Sequence, residues 1–264
     1  MKFETSEKAI GDALSNVTGE FSKSVGTTLS DVWYLVFGGI SHRAEKRKLK
    51  YANDLDAFKM ELEKKIESIP EEKRIEPSLQ VAAPALEKAR YCVEEPILRE
   101  MFANLIASSC DETTYKEVQP SFAEIISQMT PLDAQNISLF HTADGKFPVA
   151  SYRAHFNKGG YRVLFDNVFL SNPANPPIER QALSLSSLQR FGLVNIDYGT
   201  FLTDETQYEP FENDITFQLC KTTLPLTSSE IKEIKFQKGL VSLTPFGRAF
   251  LKVCFTAQKQ NKEE

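Results

Sequence analysis

The chain has 264 residues, of which 41% are hydrophobic and 25% charged, with a formal net charge of −5. That mixture belongs to an ordinary globular protein of one or two domains, long enough to bury a core without disulfides. The acidic balance excludes a protein whose whole surface grips nucleic acid, because phosphate binding needs a positive footprint.

In chain order, the first feature is an amphipathic helix predicted over Phe3 to Phe21. Phe3, Ile10, Leu14, Val17 and Phe21 share its apolar face, and Gly11 and Gly19 weaken it. Residues 1–40 are read as an arm that orders when docked. Within it, Thr28 to Asp31 offers cap residues for a short helix through Val32–Phe37, which Gly38-Gly39 ends. The longest predicted helix runs from Ser41 to about Ser68 on a stripe of Leu49, Ala52, Leu55, Phe58, Leu62 and Ile66. Pro77 opens the next helix, with Pro84 inside its pattern as a kink or restart. Pro96, Pro120 and Pro131 open three more. Residues 41–141 are therefore predicted to form a helical bundle.

Past His141 glycines, prolines and aromatics concentrate, so residues 142–178 are read as a connector of loops and short strands with room for one short helix. A helix over Glu179 to Phe191 leads to a strand over Leu193 to Tyr198. Ile215 to Leu219 alternates like a second strand. A short helix near Ser228 to Ile234, a strand over Gly239 to Leu243 and a closing helix from Thr244 to about Phe255 complete the pattern. Residues 179–256 thus read as a winged-helix-like module, followed by a polar tail over 257–264. The expected fold is mainly α with a small α+β part, a helical bundle followed by the winged-helix-like module.

No catalytic or metal-binding constellation emerges, and no cofactor is implied. His42, His141 and His155 are not spaced as metal ligands on a helix. The common phosphate-cradling glycine loops and the GxSxG elbow are absent. Neighbouring acids such as Glu94-Glu95, Glu71-Glu72 and Asp204-Glu205 diverge by ~100° on a helix, which suits capping and solvation rather than paired acid–base work. The four cysteines, Cys92, Cys110, Cys220 and Cys254, form no CxxC pair and sit among apolar neighbours, as reduced core residues do.

One charge feature stands out. Arg43, Lys46, Arg47, Lys48 and Lys50 follow an apolar stretch containing Trp33, Tyr34 and Phe37. An aromatic anchor followed by a basic run suits peripheral contact with an anionic membrane. The competing reading is a buried short helix followed by a solvated helix start. The run Val32 to Ile40 is far too short to span a bilayer, and the N-terminal residues lack the apolar core of a secretory signal, so a cytoplasmic protein is expected, with peripheral inner-membrane contact as the variant. The module's ribbon carries Asp197, Asp204, Glu205, Glu209, Glu212 and Asp214 without Lys or Arg from Gly192 to Leu219, which disfavours DNA.

From Glu76 to Ala134 the motifs run in a characteristic order. Leu98-x-x-Met101-Phe102-Ala103-x-Leu105-Ile106-Ala107-Ser108-Ser109 comes first. Pro120-Ser121-Phe122-x-x-Ile125-Ile126 and Met129-x-Pro131-Leu132-Asp133-Ala134 follow. This order resembles the Abi-alpha family, bacterial proteins linked to abortive infection of phage-infected cells. The resemblance covers roughly residues 45 to 255. It implies a bacterial antiphage setting and transfers no active site. The expectation is an antiphage protein that works through protein contact, by self-association or by sensing a phage component, rather than by catalysis. The alternatives are a winged-helix DNA-binding regulator and an effector perturbing the inner membrane through residues 1–50.

Overall fold

In a computed structural model the structure describes residues 15–16, 25–38, 46–141 and 145–255, with the side chains of 46–49 excepted. Among the described residues eighteen elements follow one another, and most are helical. They fall into two compact units, one within Met1–Pro131 and Ala249–Glu264, the other Leu132–Arg248. The arm predicted over Phe3–Phe21 lies outside the described residues apart from Ser15 and Asn16, as do Ser41–Glu45 and the polar tail.

The first unit is built from α1 (Thr27–Phe37), α2 (Lys46–Glu67), α3 (Leu79–Ala89), α4 (Pro96–Ser109) and α5 (Ser121–Gln128). Leu55, Phe58 and Leu62 of α2 and Phe102, Leu105 and Ile106 of α4 are fully buried, which is the stripe that the periodicity predicts. Ser78 caps α3 through its side chain, and α3 continues across Pro84 instead of breaking there. Helix α1 starts one turn earlier than its sequence suggests, because its cap comes from elsewhere. The Glu76 carboxylate accepts from Thr27 N at 3.1 Å and Thr28 N at 3.3 Å. Gly26, at φ 83°, lets that carboxylate approach, since a Cβ there would meet Glu76 Oε1 at 2.6 Å. The chain returns to this unit through its last residues. Asn104 Nδ2 donates to Cys254 O at 3.0 Å, Ser108 Oγ donates to Val253 O at 3.0 Å, and Phe122 packs edge-on against Phe250.

The second unit holds a four-stranded antiparallel sheet in the order β2-β1-β4-β3. Its strands are β1 (Lys146–Phe156), β2 (Tyr161–Val168), β3 (Val194–Asp197) and β4 (Ile231–Leu243). Helix α6 (Pro131–Ser138) precedes β1 and α7 (Ile178–Arg190) separates β2 from β3. A short α8 (Glu209–Asn213) and α9 (Ile215–Thr227) lead into β4, and α10 (Pro245–Cys254) closes the order. The segment 142–178, read from sequence as a connector, supplies β1 and β2, and β1 pairs with β4 from Lys146↔Ser242 to Phe156↔Ile231. It is thus part of the sheet. Ala150, Tyr152, Ala154, Ile231 and Ile234 form one core with Tyr208, Phe211 and Phe217.

Two predicted elements exchange identity. Ile215–Leu219 is helical rather than a strand. Asp214 caps α9 by accepting from Phe217 N at 2.9 Å, and Phe217, Cys220 and Leu224 form an inner stripe at helical spacing against the core. Conversely, the helix predicted near Ser228–Ile234 is the start of β4. An irregularity in the pairing between His155↔Glu233 and Phe156↔Ile231 inserts one extra residue, so Ile231 and Ile234 both reach the core. Their i, i+3 spacing imitates a helix.

The sequence Leu243-Thr-Pro-Phe-Gly is explained by α10. Thr244 Oγ1 accepts from Gly247 N at 2.9 Å and donates to Gly192 O at 2.6 Å. A Cβ on Gly247 would sit 2.0 Å from Leu193 O, a backbone atom that also receives Thr244 N at 3.0 Å. Gly247→Ala is expected to cost about 2–3 kcal/mol, because neither backbone can yield freely. Chemical denaturation showing no loss would contradict this packing.

Candidate functional site

The sequence-predicted basic and aromatic residues do not assemble into one described site. Arg43 lies outside the described residues. Lys46, Arg47 and Lys48 occupy the first turn of α2. Lys50 is exposed and 3.6 Å from Glu94. Of the three residues expected as an apolar anchor, Trp33 and Phe37 are in the core, where the Trp33 ring packs at a tilt against Phe37 and Phe58. Tyr34 is 68% exposed. No helix among the described residues is long and apolar enough to cross a membrane.

Among the described residues no group of three or more His, Cys, Asp or Glu is placed to hold a metal ion. The ribbon acids take local roles: Asp197 accepts from Gly199 N, Asp204 from Thr206 N and Asp214 from Phe217 N. The bond from Gly199 N holds the Asp197 carboxyl below its ordinary range, and the Thr206 hydroxyl, with Gln207 and Thr206 N, does the same for Asp204. His155 lies beside the Tyr161 ring, and Arg153 stacks over the same ring at 4.3 Å.

The four thiols are free, and burial pushes each of them up. Cys110 reaches about 12, and Cys254 is fully buried. A thiol raised in this way has less thiolate at any given pH and reacts more slowly. At pH 8 a thiol reagent is expected to modify partly exposed Cys220 first, and Cys110 and Cys254 only after unfolding. Rapid native labelling of Cys110 or Cys254 would sink this order.

The sequence did not reveal two polar clusters, one part-buried and one buried. In the helical unit Arg99 reaches Glu61 Oε1 at 3.0 Å, Asp54 Oδ1 at 3.6 Å and Val93 O at 3.1 Å. In the sheet unit Asn136 Nδ2 donates to Gln181 Oε1 at 2.8 Å and Ser184 Oγ at 2.9 Å, while its Oδ1 accepts from Asn172 Nδ2 at 2.7 Å. The Asn136 cluster satisfies its own amide, whereas the Arg99 cluster leaves Asp54 Oδ2 and Glu61 Oε2 without a partner, and neither is an open site. Their members lie 36 to 48 residues apart in the sheet unit, and no local motif announces them.

The surface feature best suited to recognition is α9. Phe217 is its one buried residue, while Ile215, Leu219 and Leu226 are 83%, 60% and 87% exposed. With Thr222 they follow one another in steps of 4, 3 and 4 residues, a straight stripe on the side opposite Phe217 and Leu224. A helix that is apolar on both sides is usually covered on both. Beside it, a groove of about 480 Å³ runs between α9 and β4, lined among others by Phe217, Lys221, Lys232 and Phe236. The signal was present in the sequence, but reading Ile215–Leu219 as a strand hid it.

None of the curated proteins matches this chain. A solved structure of an uncharacterized protein from the hydrocarbon-degrading marine bacterium Alcanivorax borkumensis SK2 is 17% identical, covers 55% of this chain and 96% of its own, and superposes with a TM-score of 0.34. That likeness is too slight to carry an argument. The model of the family described as Abortive infection alpha, in contrast, matches residues 50–254, which take in α3 to α10 and most of α2. The motifs on α4, α5 and α6 thus have their explanation in descent, and the chain belongs to the Abortive infection alpha family.

Proposed function

We propose that this protein acts in abortive infection through protein contacts rather than catalysis. Family membership supports the abortive-infection setting. The observation that carries the contact mechanism is the outer face of α9, where three large aliphatic side chains stand in solvent along one helical stripe. The winged-helix-like reading of α7, β3, β4 and α10 belongs with this proposal. Its neighbourhood bears Asp197, Asp204, Glu205 and Glu209, which favours a protein partner over phosphate. A phage component and a second copy of the chain are the partners in view.

The test is a phage challenge of bacteria expressing the chain. Protection is expected to fall sharply with Ile215→Glu or Leu219→Glu and to persist with His141→Ala or His155→Ala. Loss of protection with the histidine variants at normal protein levels, or nuclease or nucleotidase activity in the pure protein, would overturn the mechanism.

A further inference from the structure

We propose that the outer face of α9 pairs with the same face of a second copy of this chain, the two helices running antiparallel about a twofold axis near Cys220 and Lys221. The proposal rests on the contact mechanism above and names its partner.

Three observations select this occupant. First, the 4-3-4 steps of Ile215, Leu219, Thr222 and Leu226 match the seam of a two-stranded helical pair. A twofold axis at the middle of the stripe sets Ile215 against Leu226 and Leu219 against Thr222, so each aliphatic side chain meets a counterpart of moderate size. Second, the flanks of the stripe are uncharged: Thr216, Gln218, Thr223 and Pro225. Lys221 is the only charge in α9, and its ammonium is 5.9 Å from the Phe217 ring centre on the inner side. A neutral border offers nothing to a charged partner and repels nothing in a copy of itself.

Third, the ends of α9 differ in charge. Glu209, Glu212 and Asp214 crowd its N-terminal end with no Lys or Arg among them. Lys221 stands at the middle of the helix; toward the other end lies Lys232, which shares the groove with Pro225, while Glu233 is taken up by Lys235 at 2.9 Å. A parallel pair would set acid beside acid. An antiparallel pair sets the acidic end toward Lys232 and opposes the two helix dipoles favourably.

The size of the face sets the strength. A helix of 13 residues is about 20 Å long and about 10 Å wide. Two such faces bury less than the roughly 800 Å² per partner of a standard stable interface. The pair is therefore weak, with a dissociation constant on the order of micromolar, and forms as the protein accumulates.

Sedimentation of the full chain over a roughly hundredfold concentration range tests this. Wild type is expected to pass from monomer to dimer. Ile215→Glu and Leu219→Glu are each expected to weaken the dimer by at least about tenfold, since each buries an unpaired carboxylate. Both positions face solvent in the monomer, and an unchanged circular dichroism spectrum verifies its fold. Glu212→Lys distinguishes the orientation: weakening of the dimer supports the antiparallel pair, and strengthening overturns it. A wild type that stays monomeric throughout, or a dimer indifferent to both glutamates, overturns the proposal. A monomer that still protects cells through contacts overturns the pairing alone. A dimer that proves to be an enzyme overturns the contact mechanism alone.

Discussion

Arg99→Met is expected to destabilise the helical unit by about 3–5 kcal/mol, in the lower half of that range because Glu61 is still partly solvated. Arg99 is 13% exposed at its side chain and stands between Asp54 and Glu61, which are 19% and 34% exposed. Oδ2 of Asp54 and Oε2 of Glu61 are already buried without a hydrogen-bond partner, so the guanidinium is what holds two part-buried carboxylates two turns apart on α2. Its removal leaves like charges together and also frees the Val93 carbonyl. Lysine restores one charge but cannot serve three acceptors at once, so Arg99→Lys is expected to recover only part of the loss. The triple change Arg99→Met, Asp54→Asn, Glu61→Gln should recover more than lysine does. Urea denaturation followed by circular dichroism reads these differences. A neutral Arg99→Met would show that the cluster contributes nothing.

Asn136→Ala is expected to cost about 3–4 kcal/mol in the sheet unit. Asn136 is fully buried, and its three partners Asn172, Gln181 and Ser184 are 4%, 1% and 3% exposed. One amide therefore satisfies two acceptors and one donor from which water is excluded. Truncation loses three bonds, opens a cavity and strands the groups that remain. Asn136→Asp keeps the shape but replaces two donor hydrogens with an acceptor facing two other oxygens, and it should be no better. Hydrogen exchange localises the effect: α6 and α7 should lose protection first. Uniform loss across both units would contradict a local origin.

The helical unit was the legible part of the sequence because its signals are local. Proline at the first turn of α4 and the stripe of Leu55, Phe58 and Leu62 act within a few residues of where they are read, although α3 starts from a cap at Ser78 rather than from Pro77. Glu76 caps α1 from 49 residues away, and nothing in the neighbourhood of Thr27 hints at it. The sheet was harder for the same reason. β1 finds β4 across most of the unit, so its register is set by burial of Tyr152 and Ile234 rather than by a turn. In α9 five residues alternate well enough to suggest a strand, and only its inner stripe and Asp214 cap show the helical period. The basic run at Arg43–Lys50 was conspicuous but sits mostly where no side chain is described. The apolar stretch before it proved to be core through Trp33 and Phe37.

The return of residues 249–254 to the helical unit has a consequence for synthesis. Phe122 meets Phe250, and Asn104 meets Cys254, only after about 130 to 150 intervening residues have been made. β1 likewise waits for β4 to leave the ribosome. The helical unit cannot be completed until residues 249–254 have emerged, the sheet unit waits for β4, and closing such long loops slows folding. A nascent chain stalled before β4 carries two unfinished cores with open apolar faces, a form open to chaperones and proteases. Emergence of β4 and α10 is then the step that commits both units, and a fragment ending at Pro131 should be poorly soluble even though its helices are the best-encoded part of the sequence.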